Sequence, residues 1–92
     1  MPTPQIDISP AGERSWRVDV RDQKTTSHTV SIPAGFAERL GLTQVPPERL
    51  VEESIRFLLE REPNTSILST FGLPVIGSYF PSYEIEIVQR LR

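Results

Sequence analysis

Apolar and polar residues alternate along residues 15–32, and this period of two is the pattern of half-buried β-strands. A polar segment over residues 22–26 divides the pattern into two strands joined by a turn. Pro33 ends the second strand because proline has no N–H group for the ladder. The two strands predict a hairpin with one mostly apolar face, formed by Trp16, Val18, Val20, His28, Val30 and Ile32.

The spacing of apolar residues changes to three or four after Pro33, which predicts helices. A short helix is expected over residues 34–42, with Gly41 as its C-terminal stop. The consecutive prolines at 46–47 can open a long helix, which is expected to run to about Arg61. One side of this helix carries an apolar stripe of Leu50, Val51, Ile55, Leu58 and Leu59.

The segment after Pro63 has shorter patterns. A short helix is expected from residue 64 or 65 through Phe71, and Pro74 can open a further helical turn. Residues 83–92 fit both the alternation of a strand and the stripe of a helix. Ser82 as an N-cap, followed by acidic residues in the first turn, favours the helix.

The first twelve residues contain three prolines and a glycine, so residues 1–12 are expected to form a flexible or extended N-terminal tail. Residues 13–92 are then a single small α+β domain of ββαα type, in which an N-terminal β-hairpin is followed by three to four helices. A domain of this size buries only about 60–65% of the surface of its unfolded chain, and self-association would hide more. We therefore expect a homodimer.

Composition narrows the function classes. The chain has no cysteine and a net charge of -2, and each third of it is close to neutral. No basic patch is present, so nucleic-acid binding is not indicated by charge. The N-terminus does not resemble a signal peptide, and no apolar run approaches the roughly 18 residues of a membrane span. These features predict a cytoplasmic protein that does not bind membranes.

The residues do not predict catalysis. His28 is the only histidine, and a triad with Asp19 or Asp22 would need Ser27 or Ser31, which alternation places on the opposite strand face. The histidine is expected to pack against Trp16 instead. Metal-ligand spacings, glycine-rich dinucleotide motifs and phosphate-binding loops are not found in the sequence. We expect a non-enzymatic protein with no cofactor, metal or small-molecule substrate.

One resemblance is carried by the motifs FLLEREP at 57–63, SIL at 66–68, FGL at 71–73 and YFPSY at 79–83. Together they look like a group of small bacterial proteins of unassigned function. This resemblance implies a shared fold without implying an activity.

Two further resemblances concern the strand, Pro33 and the helices that follow. Residues 46–59, with the preceding elements, resemble the ribbon-helix-helix family, and residues 30–42 are similar to the strand-proline-helix segment of AbrB/MazE-type proteins. Both families contain dimeric DNA-binding proteins and antitoxins. The first resemblance implies that subunits pair through antiparallel strands that enter the major groove. The chain departs from that family because the reading strand lacks arginine and lysine, and an extra strand precedes it.

Two functional hypotheses follow. The first is a dimeric protein-interaction subunit or adaptor of antitoxin type that binds a protein partner such as a toxin. Its expected interface comprises Val30, Ile32, Phe57, Tyr79, Phe80 and Tyr83. The alternative is a dimeric, ribbon-helix-helix-like regulator or antitoxin that binds specific DNA sequences. Its expected DNA-contacting residues are Arg17, Arg21, Lys24, Ser27, Thr29 and Ser31.

Overall fold

The computed structural model of the protein describes residues 4–92. A four-stranded sheet packs against four α-helices within these residues, which gives a small α+β domain. A short 3₁₀ turn, Asn64–Ser66, lies between the second helix and the last strand. In chain order the elements are β1 (Gln5–Gly12), β2 (Ser15–Arg21), β3 (Thr25–Ser31), α1 (Phe36–Leu40), α2 (Pro47–Leu59), β4 (Thr70–Gly72), α3 (Leu73–Tyr79) and α4 (Tyr83–Leu91).

The strands lie in the order β1-β2-β3-β4, so β1 and β4 are the two edges. The first three strands are antiparallel, and β4 runs parallel to β3. Val18 in β2 lies opposite Ile8 in β1 and His28 in β3. A parallel neighbour requires a long crossover, which is supplied here by the segment containing α1 and α2.

The two faces of the sheet differ as the alternation predicts. The inner face is covered by the helices, and Val18, Val20 and Val30 on it are fully buried. The opposite face, which we call the outer sheet face, carries mostly exposed polar side chains. The hairpin prediction is therefore confirmed in its strands, its turn and the assignment of its faces.

The helices follow their apolar stripes. Helix α2 buries one side, including Leu50, Ile55 and Phe57, against the sheet and α4. Residues 83–91 are helical, as predicted, although the Ser82 hydroxyl donates to Glu86 and makes no capping hydrogen bond to the backbone. Tyr83 and Ile87 of this helix are buried. Gly41 adopts φ 72° directly after α1, where a residue with a Cβ would be strained, so its role as a helix stop is confirmed.

The N-terminal segment forms a strand, so three strands precede the helices instead of two. Ile6 and Ile8 are responsible, because they point to the inner face and lie opposite Val20 and Val18. Pro10 is accommodated since β1 is an edge strand. Residues 5–12 are therefore an extended edge strand of the domain and not a tail outside it, while residues 1–3 of the predicted tail lie outside the described residues.

The predicted helix ending at Phe71 is wrong. Only Asn64–Ser66 forms a helical turn, and Thr70–Gly72 is the edge strand β4. Phe71 pairs with Val30 and is buried on the inner face of the sheet, and this burial competes successfully with the weak local helical pattern.

Candidate functional site

An apolar groove lies beside the β4 edge of the sheet. It has a volume of about 220 Å³ and is bounded by the end of α2, the segment 66–68, β4 and α3. Its apolar lining comprises Leu58, Ile67, Leu68, Phe71, Val75, Ile76, Tyr79 and Phe80. Glu62 and Ser66 are the polar residues of its lining. We refer to this surface as the groove.

Helix α3 explains why the groove is open. This short helix buries Leu73 and Ile76 in the core. Val75 and Tyr79 are four residues apart, so they share another side of the helix, and both line the groove. Tyr79 is 67% exposed, and Leu68 across the groove is 49% exposed. Two large apolar side chains therefore form part of the rim of a concave apolar surface.

A hydrogen-bond network holds the backbone of the groove residue Leu68 in place. The Nδ1 atom of His28 lies 2.7 Å from the carbonyl oxygen of Leu68, and Nε2 lies 2.8 Å from the hydroxyl of Thr26. The carbonyl can only accept, so Nδ1 carries a proton and donates it. Asn64 donates from Nδ2 to the carbonyl oxygen of Lys24 at 2.8 Å and to the Thr26 hydroxyl at 3.0 Å. These bonds fix the backbone at Leu68 against the hairpin.

The same network gives His28 a structural role. The side chain is buried, both ring nitrogens have partners, and its cross-strand neighbour on β2 is Val18. The expected packing partner, Trp16, lies opposite Val30 instead. The sequence does not predict this positioning role, because Leu68 is forty positions away along the chain and no pattern connects it to His28.

Ion pairs and aromatic contacts surround Phe57, next to the groove residue Phe80. The Arg61 guanidinium lies 3.6 Å from the centre of the Phe57 ring and donates to Glu86 at 2.6 Å. Phe80 meets Phe57 edge-on, with ring centres 5.9 Å apart. Arg90 donates to Glu60, and this hydrogen bond holds the pKa of the Glu60 carboxyl below its ordinary value. These charges satisfy one another within the chain.

The six residues expected at a protein interface divide into two groups. Val30, Ile32, Phe57 and Tyr83 are in the core and present no surface to a partner. Burial raises the pKa of Tyr83, whose hydroxyl lies 2.7 Å from the hydroxyl of Ser54. Of the six residues only Tyr79 and Phe80 line the groove, and their role in binding a partner stays a prediction. The apolar residues around them, including Leu68, were not singled out because isolated apolar positions carry no sequence signal.

The residues expected to contact DNA are largely brought together. Alternation and register place Arg17, Arg21 and three small polar residues of β3 on the outer sheet face, and Lys24 lies in the β2–β3 turn; the three β3 residues are Ser27, Thr29 and Ser31. However, acidic residues share this face.

Two carboxylates offset the arginines of the outer sheet face. Arg17 pairs with Asp19 at 3.2 Å, and Arg21 pairs with Asp7 at 3.6 Å. The Ser27 hydroxyl donates to Asp19 at 2.7 Å, and this bond together with the one from Arg17 lowers the pKa of Asp19. The four charges sum to zero, so the face has little attraction for phosphate.

Strand β3 is not free to pair with a second subunit in the way that the ribbon-helix-helix resemblance implies. It has β2 on one side along its whole length and β4 on the other side at residues 29–31. The extra strand and the short parallel strand occupy the positions that a partner strand would take.

Within residues 4–92, no group of three or more histidine, cysteine, aspartate or glutamate side chains is arranged to hold a metal ion. None of the helices in this part of the chain has the length and apolar character needed to cross a bilayer. Comparison with protein-family models, with curated proteins and with solved structures found no significant match.

Proposed function

We propose that this protein is a non-enzymatic protein-interaction subunit and that it binds a protein partner through the groove. The observation that carries this proposal is the exposure of Leu68 and Tyr79 at the rim of an apolar concave surface. Exposed apolar residues around a concavity favour contact with another apolar surface. Tyrosine is well suited to such a rim, because its ring is apolar while its hydroxyl stays hydrated.

The size of the groove favours a side chain of a protein partner over a cofactor. Pockets that hold cofactors or drug-sized ligands usually have volumes of about 300–1,000 Å³. The groove has about 220 Å³, which suits one or two apolar side chains inserted from a partner. Glu62 lines the groove and makes no ion pair within residues 4–92, so a basic residue beside the apolar anchor would complement it.

The antitoxin-type adaptor predicted from the sequence is one form of this function, with a toxin as the partner. Its support is the resemblance of the strand and helices to antitoxin families. The role of His28 also supports a non-catalytic function, because both of its ring nitrogens hold structural hydrogen bonds.

DNA binding is the second proposal, since the outer sheet face collects five of the six residues expected to contact DNA. It is less well supported because Asp7 and Asp19 offset the two arginines on that face. Fluorescence anisotropy at low salt tests this proposal, with a DNA duplex from the protein's own promoter and an unrelated duplex of equal length. Preferential binding of the promoter that is lost in the Arg17→Ala variant would favour this function, whereas equal or no binding would exclude sequence-specific recognition.

A matched pair of photocrosslinking positions tests the groove. A benzophenone amino acid replaces Tyr79 in one variant and Ile85 in the other, and the protein is expressed in its source organism. The two side chains are 67% and 66% exposed, but only Tyr79 lines the groove. We expect position 79 to give a discrete protein adduct that Leu68→Glu abolishes, and position 85 to give none. Identical adducts from both positions, or none from position 79, would contradict the proposal.

A further inference from the structure

The outer edge of β1 has free backbone hydrogen-bonding groups. The N–H of Thr29 donates to the carbonyl of Ser69 on the β4 side, so the backbone groups of Thr29 point away from β2. Antiparallel geometry then directs the groups of its partner Arg17 toward β1, where Ser9 lies opposite. The groups of Ser9 therefore face β2. Alternation leaves those of Ile6, Ile8 and Pro10 facing outward.

The features that prevent strands from pairing are few over residues 5–9, because Pro10 and the irregularity in pairing between Pro10 and Gly12 lie at the end of the strand. It extends over eight residues, Gln5–Gly12, and its only charged residue is Asp7. Within residues 4–92, the backbone of β1 makes no hydrogen bond outside its ladder with β2. Long edges with few charges and free N–H groups are templates for another strand. Pro10 has no N–H, but its carbonyl still points outward and can accept.

We propose that β1 pairs antiparallel with β1 of a second copy of this chain, with Ile8 opposite the partner's Ile8 on the twofold axis. In this register the two Ile8 residues exchange two N–H to carbonyl bonds. Ile6 of each copy donates its N–H to the carbonyl of the partner's Pro10. The missing N–H of Pro10 therefore removes only one donor from each such pair.

Charge disfavours the alternative register in which Asp7 lies on the twofold axis. With Ile8 on the axis, Asp7 lies opposite the partner's Ser9, whose hydroxyl can donate to the carboxylate. Placing Asp7 on the axis would bring two carboxylates directly opposite each other, which is unfavourable. The half-buried Ile6 and Ile8 side chains would also gain cover from their counterparts on the inner face.

The second copy is favoured as the occupant because one short segment supplies to itself the backbone donors and acceptors and a serine hydroxyl opposite Asp7. Pairing closes the assembly, since neither β1 edge remains open afterwards. The product is an eight-stranded sheet with all helices on one side. The groove lies beside β4, at the opposite edge from β1, so this dimer and binding at the groove are independent.

Opposite charges at position 9 test the pairing. Light scattering over a range of concentrations should show the mass rising from 10.4 kDa to twice that value. Ser9→Asp places two carboxylate pairs across the axis and should raise the dimer dissociation constant roughly tenfold, whereas Ser9→Lys should lower it by a similar factor. Ser9 lies opposite Arg17 within its own chain, so the effects on monomer stability have the opposite sign. A folding defect therefore cannot imitate this result.

Engineered cysteines test the register. The chain contains no cysteine, so Asp7→Cys and Ser9→Cys chains can be mixed and oxidised without competing thiols. Facing residues that are not hydrogen-bonded to each other lie close enough for a disulfide. A crosslink between the two different variants supports the proposal. A crosslink between two Asp7→Cys chains overturns the register, and a protein that remains monomeric at every concentration overturns the dimer itself.

Discussion

Two apolar regions beside Phe80 differ in how completely the rest of the chain covers their side chains. In the first region Phe57 and Tyr83 are fully buried, with ring centres 5.3 Å apart. Their surroundings are complete, since Arg61 covers the Phe57 ring and Ser54 bonds the Tyr83 hydroxyl. In the second region Leu68 and Tyr79 are exposed at the groove. The residues after position 56 thus contribute both to the core and to a surface that lacks a cover.

This difference in burial arises because a helix covers the first region, whereas the second lies at an edge of the sheet. Helix α4 packs along α2 and covers the first region. The groove lies beside β4, which is an edge strand of the sheet. Within the described residues no further strand pairs with the outer side of β4. We therefore expect substitutions in the first region to lower the free energy of unfolding, and substitutions of the exposed residues Leu68 and Tyr79 at the groove to affect mainly partner binding.

The largest expected effect is that of Phe57→Ala. This change leaves a cavity between α2 and α4 and removes the ring that contacts Phe80, Tyr83 and Arg61. It should lower the free energy of unfolding by about 3–5 kcal/mol, measured by urea denaturation. Ile85→Ala, at an exposed position of α4, is the control and should change it by less than about 0.5 kcal/mol. Equal losses in both variants would contradict the distinction between the two regions.

A smaller effect, with a pH signature, is expected for Tyr83→Phe. The Ser54 hydroxyl donates to the Leu50 carbonyl at 2.8 Å, so Tyr83 is the donor in its bond to Ser54. Removing this donor should cost about 1 kcal/mol at neutral pH. Because burial raises the pKa of Tyr83 above the ordinary 10.0, the folded state holds its phenolic proton more tightly than the unfolded state.

The sign of the pH dependence follows from that shift. The contribution of Tyr83 to stability is complete below pH 10 and falls as the pH rises beyond it, because the unfolded chain then ionises first. Urea unfolding of both proteins at a series of alkaline pH values checks this. The wild-type protein should lose its advantage over Tyr83→Phe as the pH increases. An advantage that is constant or grows above pH 10 would show that the hydroxyl is not protected in the fold.

The sequence predicts the elements with long patterns and misses those with short ones. The alternation in β2 and β3 identifies both faces of the hairpin, and the apolar stripe from Leu50 to Leu59 covers most of the thirteen residues of α2. Strand β4 has only three residues, and its position depends on Phe71 packing beside Val30, which is distant in sequence. No local period can show such a pairing.

The candidate site was predicted only in part for a similar reason. The abundance of aromatic residues after Pro63 indicates either a binding surface or part of the core. It does not show which of these residues are buried and which are exposed. In α3 most residues are apolar, so periodicity does not show that Ile76 faces the core while Tyr79 faces solvent. The network from Asn64 to His28 that holds Leu68 joins distant segments, and only the folded chain reveals it.

The proposed dimer would present two grooves, each of which binds independently, to a single partner. Pairing through β1 places the two grooves at the outer ends of one sheet, facing away from the twofold axis. A partner with two binding segments could then engage both grooves, and the second contact would form at a high effective concentration. Weakening the dimer with Ser9→Asp should reduce the apparent affinity for such a partner without changing the affinity of a single groove.

The smallest effect on stability is expected at the groove itself. Tyr79→Ala removes a ring that is 67% exposed, so the free energy of unfolding should change by less than about 0.5 kcal/mol. Ile85→Ala, at 66% exposure, should behave identically in the same urea experiment.

The two variants should differ only in binding of the partner identified by crosslinking at position 79. Tyr79→Ala should weaken that binding tenfold or more, as truncation of an interface hot spot does, while Ile85→Ala leaves it unchanged. A loss of stability in Tyr79→Ala comparable to that of Phe57→Ala would mean that the groove belongs to the core, because an uncovered rim cannot stabilise the fold to that extent.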